Sequence, residues 1–238
     1  MSAALLVLIA LFVCVSVFVL ADPTGSTISN AVTVYGPNTT PASRTDNRST
    51  ITTMVLNATI QTSRWKAYVG NVTGVLTLDN PSNMTIYAWD VTTVTGQVYA
   101  TRYSNITWSS PNIICANSSV ISAEATFNNM TGSMPDRINR TFNWSIHKQF
   151  QIGTNTIGQN NCSSTVTYMN DTRQVPTTSS PFQEVLLQDN ISNVLIYMTS
   201  IDYQTQGYDN ASYDFQMIVA ESDVKASPTP YYFYVELR

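Results

Sequence analysis

Apolar positions follow two regimes along the chain. From Met1 to Ala21 they run almost unbroken and no charge interrupts them; the first acid is Asp22. At about 1.5 Å per residue the run predicts an α-helix about 30 Å long, the depth of a bilayer core. Pro23 and Gly25 should end it near Asp22. Beyond that point short runs of β-branched and aromatic residues alternate with polar ones, the period-two signature of strands. Arg140–Ile146 shows this most clearly, with Phe142, Trp144 and Ile146 on one face and Thr141, Asn143 and Ser145 on the other. Strands are likewise predicted at Ala31–Tyr35, Thr50–Gln61, Trp65–Val69, Gly74–Leu78, Met84–Asp90, Gly96–Arg102 and Val120–Phe127. Later ones fall at Ser164–Tyr168, Phe182–Leu187, Val194–Ile201, Tyr213–Ala220 and Tyr231–Leu237. Asp79–Asn83 reads as a turn, and no stretch after residue 22 shows the helical period of about 3.6. The expected fold is therefore an N-terminal hydrophobic α-helix plus an all-β globular domain, an Ig-like or related β-sandwich. Residues 1–21 form the helix, 22–29 a neck and 30–238 the head.

Composition changes this picture in one respect. Charged residues make up only 11% of the 238, and polarity comes from 32 Thr, 25 Ser and 21 Asn. An average soluble domain carries about 25% charge, so something else must keep the surface solvated. Asn-x-Ser/Thr sequons supply it, at Asn38, Asn47, Asn57, Asn71, Asn83, Asn105, Asn117, Asn129, Asn139, Asn143, Asn161, Asn170, Asn190 and Asn210. Chance combination of this composition gives about 5 such acceptor triplets, so 14 mark an N-glycosylated, extracytoplasmic protein. At Asn143 the strand pattern points the sequon to solvent while its neighbours fill the core.

Net charge is −4, with the acid excess after Pro181. No basic patch suits a nucleic acid. The asymmetry fits either a solvated face or attraction between opposite ends of neighbouring subunits. Cys115 and Cys162 form the only possible pair outside the apolar run, whereas Cys14 within it reads as a small buried hydrophobe. The only histidine, His147, ends a predicted strand, and no nucleophile elbow, zinc-protease motif, phosphate loop or Cys-x-x-Cys occurs. No enzyme and no cofactor beyond covalent glycans is expected. Trp65, Trp89, Trp108 and Trp144 read as core and strand-pair fillers rather than a sugar platform.

The apolar run begins at residue 1 with no basic stretch ahead of it, the pattern expected of a processed end, although Val19-Leu20-Ala21 also suits an ordinary signal-peptidase site. An uncharged N-terminal helix, a short neck and a sequon-dense β-rich head together resemble archaeal type IV pilins and archaellins. Trp65–Gly74, Trp89 and Gly96–Ala100 are similar to a stretch found in predicted archaeal surface proteins. Leu5 stands where bacterial-type pilins carry glutamate, a departure that favours the archaeal branch. The resemblance implies a structural subunit of a cell-surface filament that passes the membrane transiently and then polymerises with identical copies. Leu5, Leu6, Leu8, Ile9, Leu11, Phe12, Val15, Phe18 and Val19 would form the assembly core. Burying such side chains at roughly 1.5–3 kcal/mol each would dominate assembly. Residues 22–37 and part of 211–238, which lie outside the span of acceptor asparagines from Asn38 to Asn210, would face neighbouring subunits. Two rivals are a monomeric, N-terminally anchored surface glycoprotein that binds sugars or partner cells, and a secreted glycan-active enzyme.

Overall fold

The computed structural model describes residues 22–36, 43–56, 58–109 and 111–238. In chain order its elements are β1 (Thr24–Gly25), β2 (Trp65–Gly70), β3 (Val75–Asp79), β4 (Thr85–Asp90), β5 (Gly96–Thr101) and β6 (Ile113–Cys115). Helices α1 (Ser118–Phe127) and α2 (Ile138–Thr141) follow, then β7 (Phe150–Ile152), β8 (Asn155–Ile157) and β9 (Ser164–Val166). The chain ends with β10 (Gln183–Asp189), β11 (Val194–Ser200), β12 (Thr205–Gln206), β13 (Ser212–Tyr213), β14 (Phe215–Ala220) and β15 (Tyr232–Leu237).

One antiparallel sheet organises them, in the order β1-β15-β5-β11-β10-β6 with β9 also paired to β10. Both faces of this sheet are covered. On one, Val98, Ala100, Leu186, Leu195 and Tyr197 pack with Val120, Ile138, Phe142, Met217 and Val219 from the helices and the β2–β14 ribbon. On the other, Tyr99, Val185, Leu187, Ile196 and Met198 meet Phe150, Ile152, Ile157 and Cys162. The central strands β10 and β11 are buried along their whole length. Their continuous apolar stretches, such as Val194–Met198, carry that double burial in the sequence. At the start of β5, Gly96 takes a φ of +132°, and a side chain there would collide with the Glu236 carbonyl of β15.

The expected fold class is thus corrected. The chain is β-rich, but among the described residues one doubly covered sheet with four small ribbons replaces the sandwich of two sheets. The two helices span 10 and 4 residues, and no described helix is long and apolar enough to cross a membrane. The predicted helix over residues 1–21, with its assembly positions Leu5 to Val19, lies outside the described residues.

Individual elements differ for identifiable reasons. Val120–Phe127 is helix, not strand: Asn117 caps it by accepting the Val120 N–H at 2.9 Å. Its inward stripe is Val120, Glu124 and Asn128, and two polar members hide the helical period from an apolar reading. Phe142 is buried just after α2, but Trp144 is 39% exposed and makes only an isolated bridge with Ser164. The strand predicted over Arg140–Ile146 is therefore absent. Ala31–Tyr35 and the described part of Thr50–Gln61 form no strand and are exposed. The neck is partly strand, since Thr24 and Gly25 pair with Val235 and Tyr234 of β15.

Candidate functional site

Of the described sequon asparagines, all but Asn139, which lies within α2, sit outside helices and strands. Asn38 and Asn57 lie outside the described residues. Asn47, Asn71, Asn83, Asn105, Asn117, Asn139, Asn143, Asn161, Asn170, Asn190 and Asn210 are exposed, and only Asn129 is half-buried. Asn83, Asn129, Asn170 and Asn210 adopt positive φ, a conformation asparagine tolerates because its short amide bonds locally. None of the described acceptors lies within a strand. Asn117 caps α1 through its Oδ1, which leaves Nδ2, the atom a glycan would occupy, out of that bond. By contrast Asn128, which begins no sequon, is fully buried and donates to the Glu124 carbonyl and carboxylate.

Cys115 and Cys162 form a disulfide, with Cα atoms 5.0 Å apart. Cys115 ends β6 and Cys162 shortly precedes β9, the two strands that share the outer edge of β10. The bond therefore clips together two chain segments that would otherwise hold that edge independently. His147 supports the same loop. Its Nδ1 donates to the Lys148 carbonyl at 2.8 Å and its Nε2 accepts the Cys162 N–H at 3.0 Å. Both ring nitrogens are thus committed, and burial holds the imidazole below its usual basicity. The ring is a structural pin rather than a strand end facing solvent, and it has no nitrogen left for a substrate.

An open cleft of about 660 Å³ lies between the ends of β5, β11 and β15 and the segment preceding β7. Lys148 reaches Asp202 at 3.3 Å, and Asp202 also accepts from Phe182 N and Ser200 Oγ, each at 2.7 Å. Across the cleft Arg238 donates to Gln151 at 2.8 Å and pairs with Glu236. Glu236, itself buried, takes further bonds from the Tyr99 hydroxyl at 2.8 Å and Gly153 N at 3.0 Å. Burial pushes its carboxyl upward despite these donors. Gln97 is 6% exposed, and its Oε1 finds no partner among the described residues. Tyr203 adds a half-exposed ring. Amides, hydroxyls and an aromatic ring around an open trough suit a polyol. The carboxylates are already tied to cations or N–H groups, so none is poised as a general base. Sequence reasoning missed this cleft because its residues come from four separate segments and share no motif.

The tryptophans do not converge. Trp65 donates to the Asp136 carbonyl at 2.6 Å, Trp108 lies tilted against Tyr99 and edge-on to Tyr234, Trp89 neighbours Tyr87, and Trp144 stands apart. Among the described residues no three His, Cys, Asp or Glu side chains group as metal ligands. Comparison with known proteins adds no assignment: no protein-family model, no curated protein and no solved structure matches the chain.

Proposed function

We propose that the chain is a structural subunit of an extracellular archaeal filament, of the type IV pilus or archaellum kind, polymerising through its apolar residues 1–21. The carrying observation is the disposition of the sequons. Eleven of the described acceptor asparagines are exposed, and none of the described acceptors lies in a strand of the sheet that forms the core. A low-charge head built this way can be solvated by glycans while its fold is held by the covered sheet and one disulfide. The apolar segment then supplies contacts between copies, where burial needs no membrane.

Electron microscopy of material shed from the cell surface, with glycopeptide mass spectrometry, tests the reading. Uniform filaments whose subunit retains residues 1–21 and carries sugars at most exposed sequons are expected. Protein that begins at Asp22, or that is only monomeric, would overturn it. The Tyr203 cleft favours a second reading, an anchored monomeric glycoprotein that binds sugars. Glycan-array binding by a monomer, abolished by Tyr203→Ala and Gln97→Leu, would support that instead.

A further inference from the structure

Among the described residues, two apolar surfaces are left bare. The first is the β3–β4 hairpin, in which every residue is exposed. Leu76 lies opposite Trp89 and Leu78 opposite Tyr87, so these four side chains share one face. They are 46–59% exposed, and the Tyr87 and Trp89 rings pack 4.8 Å apart. Among the described residues β3 and β4 pair only with each other, which leaves two open strand edges.

The second is the arm spanning residues 50–60. In strand register Thr52, Met54, Leu56, Ala58 and Ile60 share one face, and the sequon position Asn57 falls on the other. Its described part forms no strand, and Met54, Leu56 and Ile60 are 51%, 82% and 87% exposed. The base of the arm is fixed: Gly36 lies hard against the Gln61 side chain, Thr62 donates to Asp136 at 2.6 Å, and Arg64 pairs with Asp136 and Asp223. Among the described residues, a strand pattern without a strand partner and a hairpin without an edge partner thus occur on one chain.

We infer that residues 50–60 of one copy add as a strand to the open edge of the β3–β4 hairpin of a second copy. Charge favours the pairing. Residues 43–62 carry Arg44, Asp46 and Arg48, a net +1, and Arg44 is engaged with Asp46 at 2.8 Å; residues 75–90 carry Asp79 and Asp90, a net −2. Main-chain bonds along the edge supply affinity, and the Met54–Leu56–Ile60 face extends the apolar face of Leu76, Leu78, Tyr87 and Trp89. Register keeps a glycan at Asn57 on the far side. Arm and hairpin are different surfaces, so the contact is head-to-tail and propagates into a chain rather than closing as a symmetric dimer.

The test uses the full chain in detergent, which masks residues 1–21, with mass read by light scattering on elution. An arm variant, Leu56→Asp with Ile60→Asp, and a hairpin variant, Leu76→Asp with Trp89→Asp, alter exposed residues and leave the core untouched. The wild type should associate with rising concentration, and each variant alone should remain monomeric. Mixed, the two should form a 1:1 dimer, because one retains the hairpin and the other the arm. A monomeric wild type, either variant associating like the wild type, or a mixture that stays monomeric would each overturn the inference. Mixed dimers in a protein whose shed material forms no filaments would uphold this contact while failing the filament reading.

Discussion

Glu184 is the second residue of β10, opposite Thr199 on one side and Thr165 on the other, with no exposed surface. One carboxyl oxygen accepts the Ile218 N–H of β14 at 2.9 Å, and the other has no partner among the described residues. Burial pushes its pKa well above the ordinary 4.5, more than the single N–H donor lowers it. The folded protein therefore keeps a proton that the unfolded chain releases. Stability from this group is fully present below the unfolded pKa and is lost as pH rises toward the folded one. The slope cannot exceed about 1.4 kcal/mol per pH unit for one proton. Glu184→Gln keeps an acceptor for Ile218 and cannot ionise. Its stability relative to wild type should rise steadily with pH above 4.5. Glu184→Leu should lose the slope as well, but at a uniform penalty of about 1–3 kcal/mol for the orphaned Ile218 N–H. Urea unfolding followed by tryptophan fluorescence between pH 4 and 8 measures both. Other titrating groups, such as Glu221 and Asp189, cancel in the difference. Parallel profiles for wild type and Glu184→Gln would refute a neutral, buried carboxyl.

Three further outcomes are expected. Replacing Cys115 and Cys162 with serine removes a bridge across 47 residues, which should destabilise the fold by about 4 kcal/mol on the chain-entropy model, read as a lower urea midpoint. Arg102 grips Glu124 through two bonds of 2.8 and 2.7 Å in a nearly buried pair, so Arg102→Met should cost about 3–5 kcal/mol, and adding Glu124→Leu should recover most of it in thermal melts. Stability contributed by neutral His147 is present above the unfolded pKa of about 6.5 and is lost as pH falls through the depressed folded value. His147→Phe should abolish that acid-side loss while costing about 1–3 kcal/mol at every pH for the unsatisfied Cys162 N–H, again read by unfolding across pH 5–8.

Nine of the strands predicted from alternation or apolar runs have counterparts in the structure, and in β5, β10 and β11 the side chains meet a packed surface whose spacing the backbone imposes. Val120–Phe127 misled because its buried stripe includes Glu124 and Asn128, whose partners Arg102 and the helix carbonyls are visible only after folding. Arg140–Ile146 misled in the opposite way: its alternation is perfect, yet α2 and the cap at Phe142 take the segment first. The short strands β6, β7, β8 and β12 carry too few residues to announce themselves. The polar cleft had no sequence signal, since Gln97, Lys148, Asp202 and Arg238 are joined only by the packing of strand ends.

By itself the sequence determined the uncharged opening run, the density of sequons, the cysteine pair outside that run and a mainly β character, because each is a property of local composition or period. Tertiary structure alone decided that one sheet is covered on both faces, that Glu184 and His147 are buried, His147 with both ring nitrogens committed, and that the strand-patterned 50–60 arm has no strand partner among the described residues. Whether a strand pattern becomes a strand depends on an available edge, and edges are made by distant segments.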